Sequence, residues 1–249
     1  RVESLTGGQA IRQLAFKKIG ERNFNDAVFN TWGASGLAAV WAEENTRDSI
    51  FDAFRRKETY ATSGSRIKLR FFGGYDLDAT MLEKEDLIKE AYRKGVPMGQ
   101  DLAPSEGKAP SFLIWAMRDK NAAPLQRVQI IKGWVEQTTG RPFEEVIDVA
   151  CSDGLTPDPL TNRCPDNGAL VDISDCSISS DRGTNEIKTV WTDESFDSAV
   201  KSFYYVRVLE NPSCRWSTWD AVKNGTKPRE DLKLTIQERA WSSPIWYSY

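Results

Sequence analysis

The block 36–75 carries the clearest pattern of secondary structure in this chain. Residues 37–41 are apolar throughout, which is typical of a parallel strand covered on both faces. A helical segment follows, and residues 59–63 return as an extended segment. A strand, a helix and a second strand in this order form the repeating unit of a (β/α) barrel. The sequence therefore predicts that this block is the closing strand–helix–strand portion of such a barrel.

The helix predicted within this block has one apolar face that needs a cover. Burying an apolar side chain of this size is worth roughly 1.5 to 3 kcal/mol. Within the chain, only a helix predicted over residues 10–19 and the β-rich remainder could provide that cover. We therefore expect an N-terminal barrel fragment or second chain here, or self-association through an interface larger than roughly 1,000 Å². The residues of the apolar face are Ile50, Phe51 and Phe54.

From residue 66 onward the hydrophobic period changes to two, which is the period of a half-buried strand. Five further runs have the composition of strands, and a short helix is predicted over residues 83–94. This pattern favours an antiparallel β-sandwich-like domain. We divide the chain into a barrel part, 1–65, and a β-rich accessory domain, 66–249. The five strand runs are residues 111–117, 127–135, 143–150, 186–191 and 202–210.

The composition excludes two classes of partner. The formal net charge of −3 provides no basic field that would attract nucleic acid. No run of about 18 apolar residues is present, so we expect no membrane span. The chain also contains no histidine, which removes the commonest side chain of transition-metal sites.

The four cysteines predict disulfides rather than a metal site. No pair has the short C-x-x-C spacing that is usual in structural zinc sites. Two disulfides among four cysteines allow three connectivities. We predict that Cys151 pairs with Cys164 and that Cys176 pairs with Cys214, which would pin the loop 151–176. Because disulfides form in oxidising compartments, we expect a periplasmic or secreted protein.

A series of distinct sequence motifs follows one another along most of the chain. They are Trp-Ala-Glu-Glu-Asn-Thr-Arg at 41–47, Thr-Tyr-Ala-Thr-Ser-Gly at 59–64, Phe-Phe-Gly-Gly at 71–74, Gly-Val-Pro-Met-Gly at 95–99, Ile-Lys-Gly-Trp at 131–134, the strand at 203–210, Arg-Trp at 215–216 and Ser-Pro-Ile-Trp-Tyr at 243–247. Over about residues 35–249 the chain resembles the C-terminal portion of a large bacterial family, the domain of unknown function thirty-six-oh-four. Members of that family resemble PHP-type metal-dependent phosphoesterases, named for polymerase and histidinol phosphatase.

The resemblance implies a PHP-like (β/α) barrel with divalent metal ions, zinc or manganese, in the full-length enzyme. Its metal ligands would come from segments of the type Asp-Leu-His-x-His-Thr and Ser-Asp-x-His. Neither segment occurs in this chain, and the resemblance places the chain just downstream of the last of them. We therefore predict that the chain contains no catalytic residue, binds no metal and is inactive by itself.

Three residues after the first predicted strand are candidates for orienting a substrate. Glu43 and Glu44 follow the end of that strand, where catalytic groups gather in barrels. Adjacent strand residues point in opposite directions, so at most one of the two would face a ligand. Arg47 could hold an anion through a bidentate contact. The alternative is structural. The glutamates would then cap the helix or pair with Arg47 or another basic neighbour, and Arg47 would form a surface or domain-interface ion pair.

Two functions from different classes remain as hypotheses. The first is the C-terminal part of an exported PHP-like hydrolase, in which a metal-bound hydroxide attacks phosphorus or carbon. Its metal ligands would come from an N-terminal part or a partner chain. The second is a non-catalytic binding or scaffold chain that engages a glycan, a partner protein or an assembly.

Overall fold

The computed structural model describes residues 16–19, 22–25, 32–105 and 107–248, and these residues form a β-rich fold with three short helices. The helices are α1 (Arg47–Arg55), α2 (Leu87–Lys94) and α3 (Trp216–Lys223). The strands are β1 (Phe16–Ile19), β2 (Arg22–Asn25), β3 (Leu37–Val40), β4 (Thr59–Thr62), β5 (Lys68–Gly74), β6 (Gly95–Pro97), β7 (Asp101–Leu102), β8 (Ser111–Met117), β9 (Leu125–Val135), β10 (Pro142–Cys151), β11 (Glu186–Thr192), β12 (Ser202–Glu210), β13 (Ser213–Cys214), β14 (Thr235–Ile236), β15 (Arg239–Ser242) and β16 (Ile245–Tyr247).

Most of these strands belong to two sheets. The larger has eight strands, with the order β10-β9-β12-β15-β4-β3, and β16 joins it by pairing with both β12 and β7. The smaller has four strands in the order β11-β8-β5-β6. The paired strands in these two sheets run antiparallel, except that β16 and β7 are parallel. Strands β1 and β2, and strands β13 and β14, form two-stranded pairs.

The main hydrophobic core lies between the two sheets. Because side chains alternate along a strand, each sheet contributes every second residue to this core. Phe71 and Phe112 from the smaller sheet are fully buried, and the Phe112 ring lies 4.4 Å from the ring of Tyr204 in β12. Val206 and Val208 continue the same face of β12 into the core. The alternation predicted from residue 66 onward is therefore the pattern that builds this core.

The prediction of a barrel portion is wrong. Strands β3 and β4 pair directly and antiparallel, with Leu37 opposite Thr62 and Val40 opposite Thr59. In a (β/α) barrel the two strands would be parallel neighbours joined by a helical crossover. Helix α1 instead connects two antiparallel neighbours, and β4 continues through β15 into the eight-stranded sheet. An apolar run indicates burial but carries no information on strand direction, which is why the pattern misled.

Other predicted elements agree with the structure more closely. Each of the five strand runs coincides with a strand, β8 to β12, to within two residues at either end. The helix predicted over residues 83–94 is α2, preceded by a 3₁₀ turn at Ala79–Glu83. The helix predicted over residues 10–19 is wrong at its end, because Phe16–Ile19 is a strand, and residues 10–15 lie outside the described part. The two-domain division at residue 65 stays a prediction.

Both disulfides form in the predicted pairing. Cys151, at the end of β10, bonds to Cys164, and Cys176 bonds to Cys214 in β13. The long connection between β10 and β11 is thus fixed at both ends of the predicted loop. Among the described residues, no helix is long and apolar enough to cross a membrane. Two disulfides fit an extracellular or periplasmic protein.

We predict that the two disulfides stabilise the fold to different degrees. Cys176 and Cys214 are 38 residues apart, whereas Cys151 and Cys164 are 13 apart. Loop-closure entropy gives about 4 kcal/mol for the longer loop and about 3 kcal/mol for the shorter. Denaturant unfolding of the Cys176→Ser/Cys214→Ser variant should therefore show the larger loss. A larger loss in the Cys151→Ser/Cys164→Ser variant would contradict this order.

Candidate functional site

Helix α2 and the 3₁₀ turn cover only one end of the outer face of the four-stranded sheet. Helix α2 and the 3₁₀ turn pack on Phe72 and Leu113, and together they form a second buried cluster with Met81, Leu87 and Ala91. Beyond this cluster the sheet continues toward the start of β5 and the end of β8, where no helix of the described chain covers it. This open end is the candidate site.

Two rows of side chains cross the open end of the sheet. Strand pairing places Arg70 and Lys188 on either side of Trp115. The next row has Lys68 and Glu186 on either side of Met117. Residues directly opposite each other in antiparallel strands share one face, with their Cβ atoms about 4.5 to 5.5 Å apart. The open face therefore gathers three basic residues and one acidic residue around Trp115.

Two indole rings are held in fixed positions at this face. The indole Nε1 of Trp41 donates to the carbonyl oxygen of Leu69 at 2.8 Å, and Trp115 Nε1 donates to Glu186 Oε1 at 2.5 Å. The guanidinium carbon of Arg70 lies 3.4 Å from the centre of the Trp41 ring, within the range of a cation–π contact. Lys188 Nζ lies 4.7 Å from the centre of the Trp115 ring.

These side chains enclose a cavity of about 260 Å³, which we call the tryptophan groove. No carboxylate lines it, and its two charged residues, Lys68 and Arg70, are both basic. Lys68 is exposed and makes no ion pair or side-chain hydrogen bond with any described residue. The groove is thus a small apolar cavity with a local excess of positive charge. It is lined by Trp41, Lys68, Arg70, Ile88, Trp115 and Met117.

A second cavity of about 350 Å³ adjoins the tryptophan groove and shares Trp41 and Arg70 with it. We call it the glutamate pocket. Its floor is Glu58, which is only 3% exposed. Arg70 Nη1 donates to Glu58 Oε1 at 3.3 Å, and Arg56 Nε lies 3.7 Å from Glu58 Oε2. The pocket is lined by Trp41, Ala42, Glu43, Arg56, Glu58, Arg70 and Tyr92.

Tyr92 completes the contacts of the buried carboxylate. Its hydroxyl donates to Glu58 and accepts from Arg70 Nη1 at 3.0 Å. Burial and the neighbouring carboxylate of Glu58 raise the pKa of Tyr92 to about 12. The tyrosine therefore stays protonated at neutral pH and remains a hydrogen-bond donor. Among the described residues, neither Nε nor Nη2 of Arg70 donates a hydrogen bond, so these donors are available to a ligand.

Local sequence explains why Glu58 is fixed at this place. Thr46 caps α1, since its hydroxyl accepts from the Ser49 N–H at 3.3 Å. Lys57 adopts the left-handed conformation, with a φ of 58°, just after the end of the helix. The Glu58 N–H then donates to the Ala53 carbonyl oxygen at 3.1 Å. This arrangement is typical of a helix C-terminus. The turn leads directly into β4 and leaves the Glu58 carboxylate beneath the pocket.

The structure separates the three residues predicted to orient a substrate. Glu43 lines the glutamate pocket, as the prediction requires of one of the two glutamates. The Glu44 side chain is exposed, and its backbone N–H donates to Ser49 Oγ at 3.1 Å. Arg47 begins α1 and lines a different cavity, together with Phe51 and Phe54. Their roles toward a substrate stay predictions.

Sequence reasoning missed the residues that define the site. Arg70 and Trp115 lie in strands that were recognised as strands, but nothing in the local pattern pairs them. The usable signal was the alternation in β5, which places Lys68 and Arg70 on the face opposite the core residue Leu69. Only the register between β5 and β8 brings Trp115 beside Arg70.

The donor atoms of this chain do not fit the zinc or manganese site that the family resemblance implies. The described residues contain no group of three or more His, Cys, Asp or Glu side chains that could hold a metal ion. The sequence has no histidine, and all four cysteines are in disulfides. Transition metals in proteins are usually held by several imidazole, thiolate or carboxylate ligands.

Comparison with protein families identifies the chain at the family level. A family model described as Protein of unknown function (DUF3604) matches residues 6–249. The chain belongs to the DUF3604 family. No curated protein and no solved structure matches it. The match establishes membership of this family alone and does not include a likeness to PHP-type phosphoesterases.

Two other buried charged clusters in this DUF3604 chain have a structural role. Asp148 accepts hydrogen bonds from Arg127, Gln129 and the Cys164 N–H, at 3.2, 2.6 and 2.8 Å, which holds the disulfide loop against β9. Lys132 Nζ lies 2.6 Å from Asp193, and this pair fixes the segment before β12. In both clusters each buried charge has a close partner, as buried charges require.

Glu210, by contrast, is a buried carboxyl without a partner. It is 1% exposed, and neither of its oxygens has a hydrogen-bond partner among the described residues. Burial raises the pKa of Glu210 to about 7, and the carboxylates of Glu238 and Asp119 add to the shift. Because the folded state holds this proton more tightly than the unfolded state does, stability should fall as pH rises through the window between the two pKa values.

We predict that the Glu210→Gln variant removes this pH dependence. Between about pH 4.5 and pH 7, the free energy of unfolding of the wild type should fall relative to that of the variant, by about 3 kcal/mol at most. Denaturant unfolding across this range measures the difference. The exposed Glu230→Gln variant serves as the control and should follow the wild type. Parallel pH profiles for wild type and Glu210→Gln would show that the carboxyl titrates normally.

Proposed function

We propose that these 249 residues are the ligand-binding part of an exported hydrolase of the phosphoesterase type. In this proposal the basic residues of the tryptophan groove, Lys68 and Arg70, hold the anionic group of the substrate, and the glutamate pocket holds Arg70 in place. The metal ligands come from a polypeptide segment outside these residues or from a partner chain. The chain itself binds and orients the substrate and has no hydrolytic activity when isolated.

The proposed binding role rests on one observation, namely that the Arg70 guanidinium is held in place by its neighbours. Its guanidinium lies against the Trp41 ring, and its Nη1 contacts both Glu58 and Tyr92. A guanidinium fixed on three sides loses little conformational entropy when it binds an anion. Its planar fork of donors matches the oxygens of a phosphate or carboxylate group. The donors at Nε and Nη2 that have no described partner give such a group a place to bind.

The charge distribution around the site supports an anionic ligand. The chain as a whole has a formal charge of −3, so the surface carries no general attraction for anions. The tryptophan groove has two basic side chains and no carboxylate. A local positive site on an acidic protein favours a specific anion over non-specific binding to polyanions.

The remaining parts of the proposal rest on the family resemblance and on the cysteines. Resemblance of the DUF3604 family to PHP-type phosphoesterases supplies the reaction class. When bound, the divalent metals of such an enzyme would activate water for attack on the ester. Among the described residues no group of His, Cys, Asp or Glu side chains could hold those metals, so their ligands are assigned elsewhere. The two disulfides support export.

We predict that the isolated chain binds inorganic phosphate through Lys68 and Arg70. The Lys68→Gln variant should bind phosphate about two- to fivefold more weakly, the loss expected for one exposed charge. Arg70→Gln should lose about tenfold or more, since it removes charge-assisted hydrogen bonds from a fixed guanidinium. Titration followed by the indole N–H signals of Trp41 and Trp115 measures both affinities.

The two variants separate binding from folding. Arg70→Gln also removes a partner of buried Glu58, so it could lower stability, whereas Lys68 has no described side-chain partner to lose. Lys227→Gln, an exposed lysine between α3 and β14, is the matched control and should bind as the wild type does. Phosphate binding that is unchanged in Lys68→Gln and in Arg70→Gln would refute the proposed site.

A second candidate function, a scaffold or docking chain, is favoured by the outer face of α1. Phe51 and Phe54 on this helix are 59% and 52% exposed, and Leu37 nearby in sequence is 42% exposed. Contiguous exposed aromatic side chains commonly mark an interaction surface. This is the same apolar face that the sequence predicted to need a cover.

We predict that a second copy of the chain covers this face. Light scattering of the isolated wild type should show a dimer that forms with increasing concentration. The Phe51→Ser/Phe54→Ser variant should remain monomeric, because it removes two aromatic side chains from the contact. Phe143→Ser, at an exposed phenylalanine on β10, is the control and should still dimerise. A wild type that is monomeric at every concentration would rule out self-association through α1.

A further inference from the structure

We infer that the ligand of the tryptophan groove is an oxyanion attached to a flat apolar ring, with the ring in the groove and the anion at Arg70. This inference rests on the proposed function and extends it from the charge of the ligand to its whole shape. It depends on the arrangement of apolar walls and basic groups in one cavity.

The walls of the groove are mostly apolar. Four of its six lining residues, Trp41, Ile88, Trp115 and Met117, present rings or aliphatic groups, and only Lys68 and Arg70 are charged. A site for a free inorganic anion would not need these walls, because small anions are bound by donors alone. Ligand sites that combine apolar walls with a few polar groups bind molecules that have both an apolar part and a polar part.

The two indoles are positioned as fixed walls rather than as adaptable surface residues. Each ring is anchored by its own N–H, Trp41 to the backbone of β5 and Trp115 to Glu186. Trp115 also stands between Arg70 and Lys188 in the cross-strand row, which limits its movement along the sheet. An aromatic side chain that is already immobile pays little entropy on contact with a ligand ring.

The two basic groups of the groove lie side by side on β5. Arg70 belongs to both the tryptophan groove and the glutamate pocket, so it marks the junction between them. On the far side of this junction, Glu43 and Glu58 carry negative charge, which disfavours an anion there. The anion therefore binds on the groove side along β5, at Arg70 and Lys68, and the ring lies across the neighbouring strand against Trp115 and Met117 of β8.

The size of the groove limits the ring. A cavity of about 260 Å³ is smaller than the usual range of about 300 to 1,000 Å³ for drug-sized ligands. A single six-membered ring with one oxyanion is compatible with a cavity of this size. The class of ligand is therefore a monoester or acid of one planar ring.

The experiment compares two phosphate monoesters that differ only in the ring. Phenyl phosphate and methyl phosphate carry the same anion, and their affinities for the folded full chain are measured by calorimetry. The wild type should bind phenyl phosphate at least about fivefold more tightly, the effect of burying one small apolar ring. Trp115→Leu should bring the two affinities to within about twofold, because it removes the ring against which the phenyl group packs.

Further variants keep the test independent of folding. Met117 is exposed at 39% and lines the groove, so Met117→Ala should reduce the preference for the phenyl ester without harm to the fold. Trp219→Leu, a similarly exposed tryptophan on α3, is the control and should keep the full preference.

The outcomes separate this inference from the proposed function. Equal binding of both esters by the wild type, or a preference that survives in Trp115→Leu and Met117→Ala, overturns the ring site while phosphate binding at Lys68 still stands. No binding of either ester and no binding of inorganic phosphate overturns the proposed function as well. A preference lost in both groove variants and kept in Trp219→Leu supports the inference.

Discussion

The buried carboxylate of Glu58 is the constraint on which the candidate site depends. A carboxylate that is 3% exposed is tolerated only when hydrogen bonds and opposite charges replace the water it has lost. Glu58 obtains them from Arg56, Arg70 and Tyr92, which lie after α1, in β5 and in α2. One side chain thereby ties three separate elements together. The same contacts hold Arg70 against Trp41, so the geometry of both cavities follows from satisfying this one charge.

The sequence predicts the strands of this fold well and their arrangement badly. Runs such as 202–210 alternate between apolar and polar residues, and this alternation is a property of a single strand that lies half in a core. The direction and partner of a strand depend on contacts far away in sequence. The apolar run 37–41 therefore indicated a strand correctly but could not show that β3 pairs antiparallel with β4 and joins the eight-stranded sheet through β15. The barrel interpretation failed at that step.

In the candidate site, too, the local sequence predicts some features, whereas features that depend on contacts between distant residues required the structure. Oxidation of all four cysteines was predictable because no pair has the spacing of a metal site, whereas their pairing was one of three possible connectivities. Glu43 was found because it follows a strand, and it does line the glutamate pocket. Arg70 and Trp115 are 45 positions apart along the chain numbering and meet only through the register of β5 and β8. No local pattern of charge or hydrophobicity contains that register, so these two residues required the structure.

Under the proposed function, this chain contributes the orientation of the substrate and not the metal ligands. Orientation of a substrate can supply a large part of the rate enhancement of an enzyme, provided that the binding groups are held still. In this chain the groups that would hold the substrate are fixed by contacts made before any ligand binds: Trp41 through its bond to Leu69, and Arg70 through Glu58 and Tyr92. These contacts lie on a sheet whose opposite face is packed in the main core. The site is therefore rigid because it lies on a sheet that is packed against the core. A partner that carries the metals would need only to present them at the open side of the groove.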